Sequence, residues 1–278
     1  MNLIFERLRY LARRLLISIA RDRTQVVGRR RSLIIAPHPD DETLGCGAVI
    51  ARASREGTPV TVLVIGDGSG SHTDVEVDTE ELSRSRRAEL TNALAELGAA
   101  PDGVVTLDFP DSTFARQIDP IAKAIAAVVR DFQPDDVYVT SADERHPDHR
   151  AACLATARAV VELPNPPSVF EYGVWLWSDW PLSKRFVNGS GLARLLAMVL
   201  ARCVESVRVV DVRDIKHRAL SAHLSQLGEV ALPSRVADYD PPAGSPALPA
   251  GVISRALDDP ELFFKASSRR LRSLAAKR

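Results

Sequence analysis

Two short stretches concentrate side chains able to hold a metal or move a proton. The first is His38-Pro39-Asp40-Asp41-Glu42 and the second is Asp143-Glu144-Arg145-His146-Pro147-Asp148-His149. Imidazole and carboxylate together suit two chemistries: coordination of a divalent cation, and proton transfer to or from water or a leaving group. An HxxH spacing arises by chance and paired aspartates after proline are common in turns, so neither stretch alone defines a site. Both together, each between a strand and a helix, point to metal-assisted hydrolysis.

The flanking sequence supplies that context. Leu33 to Ala36 reads as a buried strand that Pro37 and Pro39 stop. A helix is expected from Thr43 to Glu56, and its Gly45, Cys46, Gly47 and Ala48 would let the backbone approach the site closely. Asp136 to Thr140 reads as a strand before the second stretch, with a helix from Arg150 to Glu162 after it. Further strands are expected at Pro59 to Ile65 and Val104 to Leu107. Further helices are expected at Thr79 to Gly98, with Leu82, Leu90, Leu94 and Leu97 as an apolar stripe, and at Pro120 to Phe132. Strands alternating with helices predict an α/β fold, a Rossmann-like, mostly parallel sheet with helices on both faces. Both acidic loops then leave the carboxyl edge, where open α/β sheets bind ligands. No GxGxxG follows the first strand, which argues against a dinucleotide. The Gly66 to His72 loop lacks the Lys-Ser/Thr of a phosphate loop and is expected to line the cleft, with His72 as a surface residue.

Net charge is zero, but unevenly distributed. Residues 1–31 carry nine arginines against Glu6 and Asp22, a local charge of +7, and residues 265–278 carry six basic residues and no acid. The acidic body between them, −13 by difference, argues against nucleic-acid binding by the core. We expect a basic amphipathic arm at 1–31 and a single catalytic domain at 32–278. That domain carries a Pro/Gly-rich loop at 232–251 and a basic tail at 265–278. Ile4, Leu8, Leu11, Leu15 and Ile19 share one stripe of the arm, which either lies in a membrane interface or packs on the domain or a second subunit. No stretch reaches the roughly 20 apolar residues of a membrane span, and arginines interrupt any secretory signal. Cys46, Cys153 and Cys203 form no disulfide framework. Cys46 and Cys153 read as small buried helix residues rather than thiolate ligands. A cytoplasmic protein, peripheral at the inner membrane surface if the arm binds lipid, fits these features.

HPDDE at 38–42 followed by HPDH at 146–149 resembles the pattern of the LmbE-like, PIG-L-type zinc deacetylases, which remove the acetyl group from N-acetylglucosamine conjugates. The similarity covers residues 32–227. It implies one Zn2+ per chain held by His38, Asp41 and His149, a fourth position being left for water. It implies Asp40 as general base toward a metal-activated water. His146 would stabilise the oxyanion or protonate the departing amine, and Asp148 would orient the His146 ring. Arg86, in an Arg-x-x-Glu with Glu89, would face the substrate cleft, where the ordinary alternative is a solvated charged face. Asp111 would bind a sugar hydroxyl or simply cap its turn. The segment Lys216 to Gln226 resembles a family helix in which His223 and Gln226 share a face, for which a structural role is expected.

The implied substrate is a small or lipid-linked amino-sugar conjugate. Alternatives are an amidase acting on a thiol conjugate or another non-sugar amide, and a membrane-associated binding protein on the same fold. Val169 to Trp177 reads as an aromatic strand, either a pocket wall or core. Leu192 to Val204 reads as a helix, and Val207 to Val212 as another strand.

Overall fold

β-branched runs form the strands and alanine-rich periodic segments the helices of this computed structural model, which describes residues 2–70, 78–181, 190–227 and 248–277. The N-terminal segment forms α1 (Asn2–Ile19), the two-residue strand β1 (Arg21–Asp22) and α2 (Thr24–Val27). Four strand-helix units follow: β2 (Ser32–Ala36) and α3 (Asp41–Arg55), β3 (Val60–Gly66) and α4 (Thr79–Glu96), β4 (Val104–Phe109) and α5 (Ile118–Phe132), β5 (Asp136–Thr140) and α6 (Pro147–Val161). β2, β3 and β5 are buried along their whole length, as parallel strands covered on both faces must be.

The later chain adds β6 (Ser168–Tyr172), α7 (Leu176–Asp179), α8 (Ser190–Ala201) and β7 (Val204–Val207). It continues through α9 (Arg213–Ser221), α10 (Leu224–Leu227), α11 (Ala250–Ala256), β8 (Glu261–Lys265) and α12 (Ser268–Ala275). The eight strands lie in the order β1-β7-β8-β6-β5-β2-β3-β4. All pairings are parallel except those of β8, which runs antiparallel between β6 and β7. The chain leaves β2 toward β3 on one side and returns to β5 on the other, so the order reverses between β2 and β5. The crevice at such a reversal is where doubly wound sheets place ligands. It is also where the HPDDE and HPDH loops emerge.

Several boundaries differ from the sequence reading. β6 ends at Tyr172 because Gly173 breaks the aromatic run, and Leu176–Asp179 turns into α7. The strand expected at 207–212 is Val204–Val207 instead, since Asp259 Oδ1 takes the Val209 amide that would extend the ladder. Residues 261–265, next to the expected tail, are a buried strand whose Phe263 and Phe264 are wholly inaccessible. α12 then packs on α6. At the other end Arg23 reaches into the body, pairing with Asp136 (2.5 Å) and Glu205 (2.9 Å). The loop expected at 232–251 lies mostly outside the described residues, as does His72. Among the described residues no helix is long and apolar enough to cross a membrane.

Two apolar clusters, one on each face of the sheet, form the core, and a third joins α1, α7 and α8 around Leu16 and Trp180. A buried ion pair interrupts this pattern beside α3. Lys216 of α9 and Glu261 of β8 meet at 2.5 Å with their side chains almost wholly buried. Lys216 Nζ donates to the Leu44 carbonyl and Glu261 accepts from the Ala48 amide, so the pair is stitched into α3, the helix that begins at Asp41. Burial raises the Glu261 pKa even with Lys216 alongside; the pair survives because α3 supplies both charges with backbone partners.

Candidate active site

His38 to Asp40 is the turn between β2 and α3, and its backbone is unusual. Asp40 is the N-cap of α3 yet has φ 151°, ψ −27°, a region that costs a non-glycine residue about 1–3 kcal/mol. An aspartate at this position ordinarily caps its helix; the Asp40 side chain makes no cap hydrogen bond. Neighbours hold the strained peptide from both sides. Arg86 donates to the Pro39 carbonyl (3.0 Å), and Glu42 accepts from the Asp40 amide (3.0 Å). Glu42 is held in turn by Thr43 (2.6 Å) and lies 3.4 Å from His223 Nε2. The Asp40 carboxylate stays beside Arg86 (3.4 Å), and burial pushes its pKa up to about 6.

Asp41 opens α3 and turns inward. Its Oδ2 lies 3.4 Å from His38 Nδ1 and 3.3 Å from His149 Nε2, and it accepts the His38 amide at 3.0 Å. Burial opposes the carboxylate charge, but His149 and His38 outweigh it and hold its pKa well below the usual range. His38 carries its second nitrogen to Asp148 (3.3 Å), with Asp111 at 4.0 Å. Burial disfavours the His38 cation, yet the Asp148 and Asp41 carboxylates push its pKa up to about 10. These carboxylates place a strong demand for positive charge at the point where the imidazoles meet.

The HPDH loop enters from β5. His146 caps α6, its Nδ1 accepting from the Asp148 amide at 3.3 Å, so the neutral ring carries its proton on Nε2. Burial and then the His149 and His38 charges push its pKa down to about 4. His38, His146 and His149 present ring nitrogens within 4.8 Å of one another. The Asp148 carboxylate does not orient His146, as the sequence reading expected. It is committed to His38 Nε2 and to the amides of Ser112 (2.6 Å) and Phe114 (3.3 Å), and only its backbone reaches His146.

These groups line one cavity of about 250 Å³, together with Leu44, Gly70, Arg86, Asp111, Ser112, Trp175, Gln226 and Leu248. Of the residues singled out from the sequence, His38, Asp40, Asp41, Arg86, Asp111, His146 and His149 all reach it, with Asp148 directly behind. Asp111 accepts from the amides of Gly68 (3.4 Å) and Gly70 (3.0 Å), so it anchors the glycine loop as well as facing the cavity. A side chain at Gly66 would meet Asp111 Oδ1 at 2.2 Å, which is why that strand ends on glycine. Glu89 does not pair within its helix; it accepts from Ser225 N (2.8 Å) and Oγ (2.7 Å) and docks α10 beside the cavity.

The sequence reading gave Glu42 and Leu248 no part in this site and His223 no contact with it, although Glu42 was visible as the last letter of HPDDE. Trp175 stands in the aromatic run read as either a pocket wall or core, and it lines the cavity. His223 is wholly buried behind the Asp40 turn. Cys46 and Cys153 are buried in the core, where desolvation pushes their thiols far up, and neither joins the imidazole group.

A doubly wound α/β protein with imidazoles and carboxylates gathered at its switch point is thereby defined. Residues 33–160 match the family model described as PIG-L: GlcNAc-PI de-N-acetylase. Over 248 residues the chain is 31% identical to the 1D-myo-inositol 2-acetamido-2-deoxy-alpha-D-glucopyranoside deacetylase of Rhodococcus erythropolis, covering 71% of this chain and 81% of that protein. This chain belongs to the PIG-L family. Among solved structures, the N,N'-diacetylchitobiose deacetylase of Pyrococcus horikoshii superposes with a TM-score of 0.55 at 23% identity, covering 73% of each chain. The conserved protein TT1542 of Thermus thermophilus does so with 0.56 at 23% identity, over 85% of this chain and 94% of that one. At such identities these superpositions speak for the fold alone.

Proposed function

We propose that this chain is a zinc-dependent hydrolase that removes the acetyl group from an N-acetylglucosamine-type conjugate. The observation that carries the reading is the spacing of His38 Nδ1, Asp41 Oδ2 and His149 Nε2. Asp41 Oδ2 lies 3.4 Å and 3.3 Å from the two nitrogens. Two atoms bound at about 2.0–2.1 Å in a tetrahedron are roughly 3.3–3.4 Å apart. Two imidazoles and one carboxylate are also a donor set that suits zinc and keeps a position open. The charge demand on His38 fits a divalent cation at the same place. Asp148 on His38 Nε2 supplies the outer carboxylate that fixes a ligating imidazole.

Bound there, zinc supplies Lewis-acid polarisation and lowers the pKa of water toward neutrality. The rest falls to the chain's own residues. Asp40 accepts the proton of the attacking water: its carboxylate faces the cavity and is not spent on capping. Arg86 keeps it oriented. His146, neutral with its Nε2–H as donor, would hydrogen-bond the developing oxyanion, and the proton taken up by Asp40 would pass to the departing nitrogen. The amide C–N bond breaks as a C–O bond forms, giving acetate and a free amine.

A cavity of about 250 Å³ with mixed polar and apolar walls is below the roughly 300–1,000 Å³ usual for drug-sized ligands and suits a single amino-sugar residue. Trp175, Leu44 and Leu248 offer apolar surface to the ring or the acetyl methyl, and Asp111 an acceptor for a sugar hydroxyl. The activities of the relatives, an inositol-linked and a chitobiose deacetylase among them, support this substrate class. The test is acetate release across a panel of conjugates: N-acetylglucosamine linked to inositol, to lipid and to a second sugar, beside a non-sugar N-acetyl thiol. The proposal expects chelator-sensitive release from at least one amino sugar and none from the thiol; release from the thiol alone would overturn it.

A further inference from the structure

Eleven large apolar side chains are exposed among the described residues, and nine of them lie on α1 and α8. Packing decides which faces these are. Leu16 of α1 and Met198 of α8 are wholly buried in one cluster with Trp180, so the two helices share a floor. Leu8, Leu11 and Leu15 stand off that floor on α1, and Leu192, Leu196 and Leu200 on α8, between 42% and 74% exposed. The α8 set repeats every four residues and therefore lines a single face. Scattered apolar side chains on a surface need no explanation, but a patch confined to two adjacent helices does.

The charges around the patch say what covers it. Arg7 and Arg14 flank the α1 stripe, Arg21 follows α1 and Arg202 follows α8. All four are exposed, and none makes an ion pair among the described residues. The only acid on either helix is Glu6, already paired with Arg9 at 2.7 Å. A second copy seated on this face by a two-fold axis would bring mostly arginine against arginine, since Glu6 and Asp258 are already paired with Arg9 and Arg13 and only Asp22 stands beside Arg21. An anionic lipid surface answers both features at once, taking leucines below the headgroups and arginines among them.

We propose that the joint face of α1 and α8 is a docking surface for an anionic bilayer. The inner side of α8 points toward the chemistry. Arg194 pairs with Asp143 at 3.0 Å, in the loop that carries His146 and His149, so docking would hold the cavity one helix away from the lipid. The proposal stands independently of the deacetylase reading, because its readout is binding.

The test is co-sedimentation of the full chain with vesicles of phosphatidylcholine alone and of phosphatidylcholine with phosphatidylglycerol. Binding to the anionic vesicles that weakens as salt rises is expected, with little binding to the neutral ones. Arg7→Gln with Arg14→Gln should weaken binding roughly fivefold per arginine at low salt. Leu11→Ser, Leu196→Ser and Leu200→Ser together should weaken it about tenfold or more. Thermal unfolding and acetate release from a soluble substrate should be unchanged in both variants. No partition to anionic vesicles, or equal partition of the leucine variant, would overturn the proposal. So would a dimer seen by light scattering that the leucine variant abolishes, which would give the face to a second copy.

Discussion

Asp40 and Asp41 are neighbours of the same type, and their surroundings set them apart. Asp41 sits between two imidazoles that hold it ionised, whereas Asp40 is buried beside one guanidinium on a strained peptide. Asp40→Asn should therefore retain the proposed metal and lose about 10²–10⁴-fold in turnover, read by metal analysis beside acetate release. Full turnover in that variant would remove Asp40 as the base. Asp41→Ala and His149→Ala should instead lose metal, and unchanged occupancy would take either residue out of the ligand set. Glycine at 45 is a packing demand: a Cβ there would meet the Tyr172 ring at 2.2 Å. Gly45→Ala should cost about 1–3 kcal/mol in denaturant unfolding, since neither α3 nor the buried ring has room to move. The proposed ligands and base were legible because they stand in contiguous motifs. The Asp148 partner was not, because a carboxylate two residues from His146 in sequence points across the sheet crevice to His38, a contact that only the tertiary fold creates.

At the scale of elements, the two loops of the site are braced by parts of the chain far from them in sequence. Glu171 on β6 accepts from Arg270 at 2.6 and 2.7 Å and from Ser141 and the Ala142 amide at the start of the HPDH loop. Burial acts to raise the Glu171 pKa, but Arg270 more than offsets it and the pKa falls below its ordinary value of 4.5. A carboxylate depressed in this way contributes stability that is present above about pH 4.5 and lost as pH falls through its lower folded value. Glu171→Gln should flatten the acid limb of a stability-versus-pH curve, and an unchanged limb would show that Glu171 does not couple to folding. Lys216→Met would leave Glu261 buried without its cation and should cost about 3–5 kcal/mol, with Lys216→Met/Glu261→Leu less damaging than the single change. Secondary structure was most readable where continuous apolar runs or clear stop signals mark the element, as in β2 and β5 and at the Gly98 end of α4. It failed where tertiary partners override local preference: at β7, cut short by Asp259, and at β8, a buried strand beside the basic tail that the sequence reading did not anticipate.

For the whole molecule, the order of strands does the positioning. The reversal between β2 and β5 brings together loops from residues 38–41 and 146–149, and the later chain closes the cavity from behind with α9, α10 and β8. The mostly parallel sheet and its carboxyl-edge site followed from alternating strands and helices; the shared outer face of α1 and α8 did not, since nothing local tells two amphipathic helices that they are neighbours. The central claim, that two loops grip one catalytic cation beside a free carboxylate, is tested most directly by titrating zinc into the metal-stripped chain while following acetate release from an N-acetylglucosamine conjugate. Activity should rise from zero and level off at one equivalent. Full release before any zinc is added, or none at any loading, would contradict it.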